Sequence, residues 1–512
     1  MTPNASVVDS FAGLEQAAAA AARDMERPDK PEEACGVFGI YATAAFDVAR
    51  LAYFGIYALQ HRGQESAGIS VFSRVGDQTP IKTHKRMGLV SQVFNEEILD
   101  GMKGYMAVAH TRYSTTGSSH AVNAQPAVLE TDQGDFALAH NGNLVNTLAL
   151  RQDFVDRDQD LTTTTDSELI ALEIAEGIKA GQSWTEAGIA AFRKSQGAFS
   201  LVIGTPEGMM GVRDPNGIRP LVIGTLQDPD GSPNQPFYVL ASETCGLDII
   251  GAEYLRDVEP GEMVWITDGG LASHHWAEKP SPKLCVFEMI YFARPDSHFH
   301  GETLYSYRRR IGQILAQEHP IEADMVMGVP DSGIPAAIGY AEESGIPYEE
   351  GLIKNRYVGR TFIQPSQIMR EAGIRMKLNP LRDVLQGKRI IVVDDSIVRG
   401  NTSRKLVQAL RDAGAKEVHM RISSPPITHP CFYGIDTDSQ DQLIAATKSV
   451  AEIEQQIEVD SLGYLSIDGM LKATQENVEH FCHACFSGEY PVEIPEKLRG
   501  SKLMLEKAAA LA

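Results

Sequence analysis

The stretch Ile390–Thr402, IIVVDDSIVRGNT, decides the fold of the second half of the chain. Its first four residues are apolar, as in a strand of a parallel sheet, and they place Asp394 and Asp395 at the C-terminal end of that strand. A glycine-containing turn then leads into a helix that Gly414 is placed to end. Strand, loop, helix and strand follow one another in this way from about Ser281 onward, so the sequence predicts a parallel α/β domain.

The C-terminal end of that strand is predicted to bind a phosphorylated ligand. Ligands of open α/β sheets bind outside the carboxyl ends of the strands. Backbone amides from Ser396 to Thr402 and the positive end of the next helix suit a phosphate, and the neighbouring carboxylates suit ribose hydroxyls or Mg²⁺. Taken alone, two adjacent aspartates also fit a buried strand that ends in acidic caps.

The composition limits the possible classes of function. A chain of 512 residues with 43% hydrophobic content is longer than one core needs, which predicts two or more domains. The formal charge of −22 argues against nucleic acid as the main partner, because duplex binding needs a basic face. Six cysteines are too sparse for a disulfide scaffold and indicate catalysis or metal binding in a reducing compartment. No apolar run is long enough to span a membrane, so we expect a soluble, cytoplasmic protein.

The N-terminal half begins with a leader and a cysteine. The first 34 residues carry an alanine-rich run that favours a helix, and ERPDKPEE then predicts an exposed linker. From Cys35 to about Asp268, short β-rich runs with glycine and asparagine turns predict an α+β layered domain. If cleavage after Ala34 exposed Cys35, its α-amino group, with a pKa of roughly 8, would serve as the base for its own thiol.

Three motifs downstream of Cys35 suit an amide substrate. HTRYST offers Arg112 for an amino acid's carboxylate, and NGN offers the Asn141 side chain and the Gly142 amide as an oxyanion hole. TTTTDSE offers Asp166 for an α-ammonium group. Each motif also has a simpler interpretation: a surface ion pair for Arg112, a hairpin turn for NGN, and a helix N-cap for Asp166.

The order of these motifs resembles two known families. After CGVFGI and LQHRGQESAGI, the first half resembles the class II glutamine amidotransferases, and IIVVDDSIVRGNT resembles the phosphoribosyl diphosphate signature of type I phosphoribosyltransferases. Together the halves resemble the amidophosphoribosyltransferase family, also called glutamine phosphoribosylpyrophosphate amidotransferases, and within it the iron–sulfur, propeptide-bearing branch. The resemblance runs from Cys35 to about Pro495 and includes the junction CVFEMIYFARPDS.

The resemblance implies a domain plan. Residues 1–34 would be a propeptide, and residues 35–268 an N-terminal-nucleophile (Ntn) hydrolase glutaminase domain with a layered αββα sandwich. Residues 269–495 would be a type I phosphoribosyltransferase domain with a parallel sheet, and residues 496–512 a C-terminal tail. In the first domain Cys35, Asn141 and Gly142 would be catalytic, while Arg112 and Asp166 would bind glutamine.

The same resemblance implies a site for phosphoribosyl diphosphate. GVPDSGIP would be its pyrophosphate loop. A basic segment from Lys354 to Lys377 would close over the diphosphate, although its charge also fits a solvated loop. The binding residues would be Asp331, Ser332, Gly333, Lys354, Arg356, Asp394, Asp395, Ser396, Val398, Arg399, Gly400, Asn401 and Thr402, and Mg²⁺ would contact Ser332, Asp394 and Asp395.

The cysteines of the second half are expected to hold a cofactor. By spacing alone, CHAC fits zinc, a redox pair or neither. The resemblance implies that a [4Fe–4S] cluster is held by Cys285, Cys431, Cys482 and Cys485, with zinc as the alternative. Cys245 matches no ligand and is interpreted as a small buried hydrophobe.

The function implied is the first committed step of de novo purine biosynthesis. Glutamine, water and phosphoribosyl diphosphate would give 5-phosphoribosylamine, pyrophosphate and glutamate, through a cysteine thioester and channelled ammonia. The family also implies purine nucleotides as feedback inhibitors and a homo-oligomer, either tetramer or dimer. A sensor that only binds phosphoribosyl diphosphate would not need Cys35, Arg112, Asn141 and Asp166 together. Other glutamine-dependent enzymes, such as sugar-phosphate aminotransferases or asparagine synthetases, would lack IIVVDDSIVRGNT.

Overall fold

The computed structural model describes residues 35–113, 120–228, 236–355, 378–435, 437 and 439–496. The predicted propeptide, Arg356 and residues 497–512 lie outside these ranges.

Two antiparallel sheets make up the first half of the described chain. The seven strands of the first sheet, in hydrogen-bonded order, are Glu253–Asp257, Val222–Leu226, Phe237–Ala241, Gly36–Phe46, Gly104–Arg112, Ser66–Phe72 and Ile81–Met87. The six strands of the second are Gly270–His275, Glu262–Thr267, Gly208–Arg213, Gly197–Thr205, Phe136–Leu144 and Ala127–Leu129. The second sheet thus includes a strand that lies beyond the domain boundary expected at residue 268.

The two sheets face each other and carry helices on their outer faces. Val37 of the first sheet and Val202 of the second belong to the apolar core between them. The helix Val48–Ala58 packs on the first sheet, and the helices Asp166–Lys179 and Trp184–Lys194 pack on the second. Four layers in this order form the αββα sandwich, and the predicted fold of this half is confirmed. Its remaining helices within the described ranges are Val90–Val93, Glu96–Asp100, Thr147–Asp156 and Cys245–Asp248, with 3₁₀ turns at Gln60–Arg62 and Ala121–Asn123.

A parallel sheet forms the centre of the second half. Its strands, in order, are Met325–Gly328, Arg389–Asp394, Glu417–Ile422 and Ser461–Tyr464. In the second of these strands Ile391 packs on the side of the helix Ile334–Ser344, whereas Val392 packs on the side of the helix Asn401–Asp412. Burial on both faces explains the uninterrupted apolar run of that strand. The predicted parallel domain is confirmed.

Shorter elements complete the second half. Gly414 follows the helix Asn401–Asp412 with a φ of +100°, so the predicted helix end is confirmed. Among the residues described for this half, the other helices are Leu304–Glu318, Arg382–Leu385, Ile444–Thr447, Val450–Ile457, Ile467–Lys472 and Ala484–Ser487, with a π-helix at Glu288–Phe292 and 3₁₀ turns at Gln440–Gln442 and Val478–His480. Two-stranded pairs form between His298–Phe299 and Glu302–Thr303 and between Leu352–Lys354 and Leu378–Pro380.

One apolar core joins the two halves. The short strands Leu284–Cys285 and Phe481–Cys482 pair in parallel at the junction. Val145 and Ala198 of the first half lie in the same core as these strands and as the helix Leu304–Glu318. The sandwich and the parallel domain therefore share buried surface. Within the described ranges, no helix combines the length and the apolarity that crossing a bilayer would require.

Candidate active site

Cys35 lies immediately before the central strand of the first sheet. Its side chain is buried, and the thiol donates a hydrogen bond of 3.4 Å to the carbonyl of Tyr113. Burial raises the pKa of the Cys35 thiol to about 12, and the charges of Asp166 and Glu65 add to that rise, whereas Arg112 opposes it. The thiol is therefore protonated at neutral pH and needs a base before it can act as a nucleophile.

Arg112 and Asp166 are both buried beside this thiol. Arg112 ends the strand Gly104–Arg112, and its side chain is 2% exposed, with Nη1 3.9 Å from Glu65 Oε2. The interpretation of Arg112 as a surface ion pair is therefore wrong. Asp166 is the first helical residue after the N-cap Thr165, so the N-cap interpretation of Asp166 is wrong as well.

The carboxylate of Asp166 is held from two sides. Its Oδ2 accepts a 2.9 Å hydrogen bond from the Leu144 N–H, and its Oδ1 lies 3.4 Å from His140 Nδ1. Burial would raise the pKa of Asp166, but His140 and this N–H more than offset it and lower the pKa below its usual range. Asp166 is therefore a fixed negative charge in the interior.

Asn141 and Gly142 lie inside a strand, which corrects the hairpin-turn interpretation of NGN. They belong to Phe136–Leu144, where Asn141 pairs with Ser200 and Gly142 with Phe199. Gly142 has a φ of +147°, and a Cβ there would lie 2.1 Å from the Ala198 carbonyl, so the position requires glycine. The Asn141 side chain is fully buried, and neither its Oδ1 nor its Nδ2 has a hydrogen-bond partner among the described residues. A buried amide without partners is a candidate for binding a ligand.

A buried charge network behind Cys35 was missed from the sequence. Arg62 Nε donates to the Cys35 carbonyl at 3.1 Å, and its other nitrogens contact Glu288 and Glu243. Arg219 also donates to Glu288, at 2.8 Å. The available signal was a single carboxylate, Glu288, inside the apolar run CVFEMIYF.

The second group of predicted residues meets at the C-terminal end of the parallel sheet. Asp394 ends its strand, and Asp395 follows it, with both side chains buried. Asp395 accepts hydrogen bonds from Ser332 Oγ at 2.5 Å and from Ser396 Oγ at 2.6 Å. A Cβ on Gly333 would lie 2.3 Å from the Val393 carbonyl, so the loop before the helix Ile334–Ser344 packs directly on this strand end.

Two further loops border the same strand end. Asp331 forms an ion pair with Lys354, and both residues line an open cavity beside the sheet. On the other side Gly400, with a φ of +81°, is the N-cap of the helix that begins at Asn401. The last predicted residues lie there too: Val398 is buried, Arg399 donates to Gln442, and Thr402 is the second helical residue. Arg356 lies outside the described residues.

The four predicted ligand cysteines line one small cavity, and Cys245 is not among its residues. Cys285 pairs with Cys482 in the parallel strands of the junction. Burial raises the pKa of the Cys285 thiol to about 11 and also raises the pKa of Cys482 and Cys485, and the neighbouring cysteines add to each rise. Among the described residues, no group of three or more His, Cys, Asp or Glu side chains has the spacing to coordinate a metal ion. The donor set, four thiols around one cavity, nevertheless fits a [4Fe–4S] cluster or zinc.

Each half of the chain matches a known domain family. The profile of a glutamine amidotransferase domain family matches residues 110–244, and that of a phosphoribosyl transferase domain family matches residues 302–423. An amidophosphoribosyltransferase from Synechococcus elongatus is 70% identical over 486 residues, which cover 95% of this chain and 97% of the relative. One from Bacillus subtilis is 48% identical over 468 residues, covering 90% of this chain and 95% of the relative.

A solved structure shares the fold over most of the chain. It is the glutamine phosphoribosylpyrophosphate amidotransferase from Bacillus subtilis complexed with ADP and GMP, which superposes with a TM-score of 0.83 at 47% identity and covers 90% of this chain and 98% of that one. With identities this high over nearly the full length of both chains, this chain belongs to the amidophosphoribosyltransferase family.

Proposed function

We propose that this chain forms 5-phosphoribosylamine from phosphoribosyl diphosphate and the amide nitrogen of glutamine, the first committed step of purine biosynthesis. The single observation that supports the proposal is that one continuous fold carries both groups of candidate site residues. Cys35 lies with Arg112 and Asp166 in the sandwich, and the pair Asp394 and Asp395 lies at the end of the parallel sheet.

The first site would hydrolyse the glutamine side chain. With Ala34 removed, the α-amino group of Cys35, with a pKa of roughly 8, would take the thiol proton. Arg112 would bind the substrate's α-carboxylate and Asp166 its α-ammonium group. The thiol attacks the amide carbon, and the Asn141 side chain and the Gly142 N–H would stabilise the oxyanion. The protonated α-amino group returns the proton to the departing nitrogen, so that ammonia leaves, and water then hydrolyses the glutamyl thioester to glutamate and the free thiol.

The second site would use the released ammonia. Ammonia attacks C1 of phosphoribosyl diphosphate, and pyrophosphate leaves from the same carbon. The loop Asp331–Gly333 would bind the diphosphate, and residues 398–402 would surround the 5′-phosphate at the N-terminus of a helix. Ser332, Asp394 and Asp395 would hold Mg²⁺, which would neutralise charge on the leaving pyrophosphate.

The cysteine-lined cavity would hold a structural cofactor. We propose a [4Fe–4S] cluster bound by Cys285, Cys431, Cys482 and Cys485. The proposed reaction changes no oxidation state, so the cluster would act as a crosslink between the junction and the C-terminal segment. We further propose feedback by purine nucleotides, in line with the relative solved with ADP and GMP, a homo-oligomeric assembly and a cytoplasmic location.

Cys35→Ala tests the separation of the two sites. We expect glutamine-dependent synthesis of phosphoribosylamine to be lost while ammonia-dependent synthesis stays within about twofold, because the second site needs only the nitrogen. Both rates are measured on the same purified protein, with Cys245→Ala as the matched control for loss of a buried thiol. Equal loss of both activities in Cys35→Ala would contradict the two-site mechanism.

Asn141→Ala separates a catalytic amide from a structural one. We expect glutamine hydrolysis to fall about 100- to 1,000-fold, as when an oxyanion donor is removed, while the melting temperature does not fall, because the amide makes no hydrogen bond within the described structure. The control is Asn143→Ala. Its Nδ2 donates to the Phe432 carbonyl at 3.0 Å, so its loss should lower the melting temperature. If Asn141→Ala hydrolyses glutamine at the normal rate but melts at a lower temperature, the Asn141 side chain has a structural role and not a catalytic one.

Asp394→Asn tests the acidic pair. Synthesis from glutamine and from ammonia should both fall by about 100-fold or more, because a carboxylate facing the ribose and Mg²⁺ serves both nitrogen sources. Glutamine hydrolysis at Cys35 should continue. Asp383→Asn, at an exposed position in the same domain, should leave both rates unchanged. Unimpaired synthesis in Asp394→Asn would show that this carboxylate does not bind the ribose or Mg²⁺.

Metal analysis tests the cysteine-lined cavity. Protein purified without air should be brown and contain iron and acid-labile sulfide in equal amounts, about four of each per chain. Cys431→Ser should lose both, whereas Cys245→Ala, which removes a buried thiol outside the cavity, should keep them. A colourless, fully active preparation that contains zinc would refute the cluster.

A further inference from the structure

Glu288 connects the nucleophile to the segment Cys431–Gly434. Its side chain has no exposed surface and lies on the π-helix Glu288–Phe292 at the junction. Its Oε1 accepts hydrogen bonds from Arg62 Nη2 at 2.6 Å and from Arg219 Nη1 at 2.8 Å, and its Oε2 accepts from Arg62 Nη1 at 3.0 Å. One carboxylate therefore orients two buried guanidinium groups.

Each guanidinium group also holds one backbone carbonyl. Arg62 Nε donates to the Cys35 carbonyl at 3.1 Å, and Arg219 Nε donates to the Tyr433 carbonyl at 2.9 Å. A continuous path of hydrogen bonds thus runs from the residue that carries the nucleophile, through Glu288, to the segment that carries Cys431. Because Arg is planar, fixing its terminal nitrogens also fixes the direction of Nε.

The segment Cys431–Gly434 also contacts the strand that carries the oxyanion residues. Asn143 Nδ2 donates to the Phe432 carbonyl at 3.0 Å. A Cβ on Gly434 would lie 3.0 Å from the carbonyl carbon of Gly142, so these two glycines are packed backbone against backbone. The segment therefore contacts the strand that carries Asn141 and Gly142, whereas Arg62 contacts Cys35.

We propose that Glu288 is a positioning residue for glutamine hydrolysis: it holds Arg62 on the Cys35 carbonyl and Arg219 on the Tyr433 carbonyl, so that the nucleophile and the oxyanion strand keep one relative position. The proposal rests on the proposed function. A nucleophile at a chain terminus is tethered on its carbonyl side only, so a hydrogen bond to that carbonyl is a direct restraint on the thiol. Misplacement of a reacting group by about 1 Å can cost about 100-fold in rate.

The test replaces Glu288 by Gln, which keeps its shape and removes its charge. For E288Q we expect kcat for glutamine hydrolysis to fall about 10- to 100-fold with KM within about threefold, because Glu288 orients the nucleophile and does not contact glutamine. Ammonia-dependent synthesis should stay within about twofold. Glutamine hydrolysis, ammonia-dependent synthesis and the melting temperature are measured on the same preparation.

Glu262→Gln is the matched control for removing a buried carboxylate. Glu262 is 1% exposed and paired with Arg256, and it lies in the second sheet outside the Glu288 network. In the Glu262→Gln variant, kcat for glutamine hydrolysis should not fall, even if the melting temperature drops as far as in E288Q. A fall of equal size in both variants, or an equal loss of glutamine and ammonia activity in E288Q, would overturn the proposal.

If E288Q does not fold, the variant Arg219→Lys tests the same positioning role. Lysine keeps the charge beside Glu288 but cannot hold the carboxylate and the Tyr433 carbonyl in a fixed fork. We expect at least a fivefold loss of kcat for glutamine with ammonia-dependent synthesis retained, and an unchanged kcat would overturn the proposal. Wild-type protein that lacked both activities would instead refute the proposed function.

Discussion

The junction depends on the ion pairs that the buried carboxylate of Glu288 forms with Arg62 and Arg219. This carboxylate lies among apolar residues where a lone charge would be very unfavourable, since removing an ion from water costs several kcal/mol even after relaxation. Two arginines from the first half neutralise it, and a second carboxylate, Glu243, balances the extra positive charge on Arg62. Removing one partner of such a network costs about 3–5 kcal/mol, so the two halves are held by directional contacts as well as by the apolar core they share.

Both candidate sites lie at the ends of central strands. Cys35 precedes the strand Gly36–Phe46 in the middle of its sheet, and Asp394 ends a strand with neighbours on both sides. Such positions combine rigid support with an open edge where irregular loops can approach. In the parallel domain the loops around Ser332 and Gly400 meet there because the carboxyl ends of parallel strands share one edge.

The sequence predicted what depends on local pattern, and missed what depends on contacts between distant residues. The strand that ends at Asp394, its helix and the glycine that ends that helix all follow from periodicity and turn chemistry. NGN also suits a hairpin turn by local propensity, but pairing with the strand Gly197–Thr205 keeps it extended. The partners of Glu288 come from positions 62 and 219, and no short-range rule connects them. The cluster role predicted for Cys285, Cys431, Cys482 and Cys485 came from family resemblance and not from their spacing.

The parallel pairing of Leu284–Cys285 with Phe481–Cys482 bears on how the protein is made. Lys283, just before it, donates to the carbonyl of Glu479, which is 196 positions later in the chain. Domains generally fold as units from the N-terminus during synthesis. We therefore expect the sandwich to fold while the parallel domain is still being synthesised, and the junction to close only after Phe481 and Cys482 have been added. Until then Cys285 lacks its partner strand, so the two halves are joined through the junction only after the parallel domain has been made.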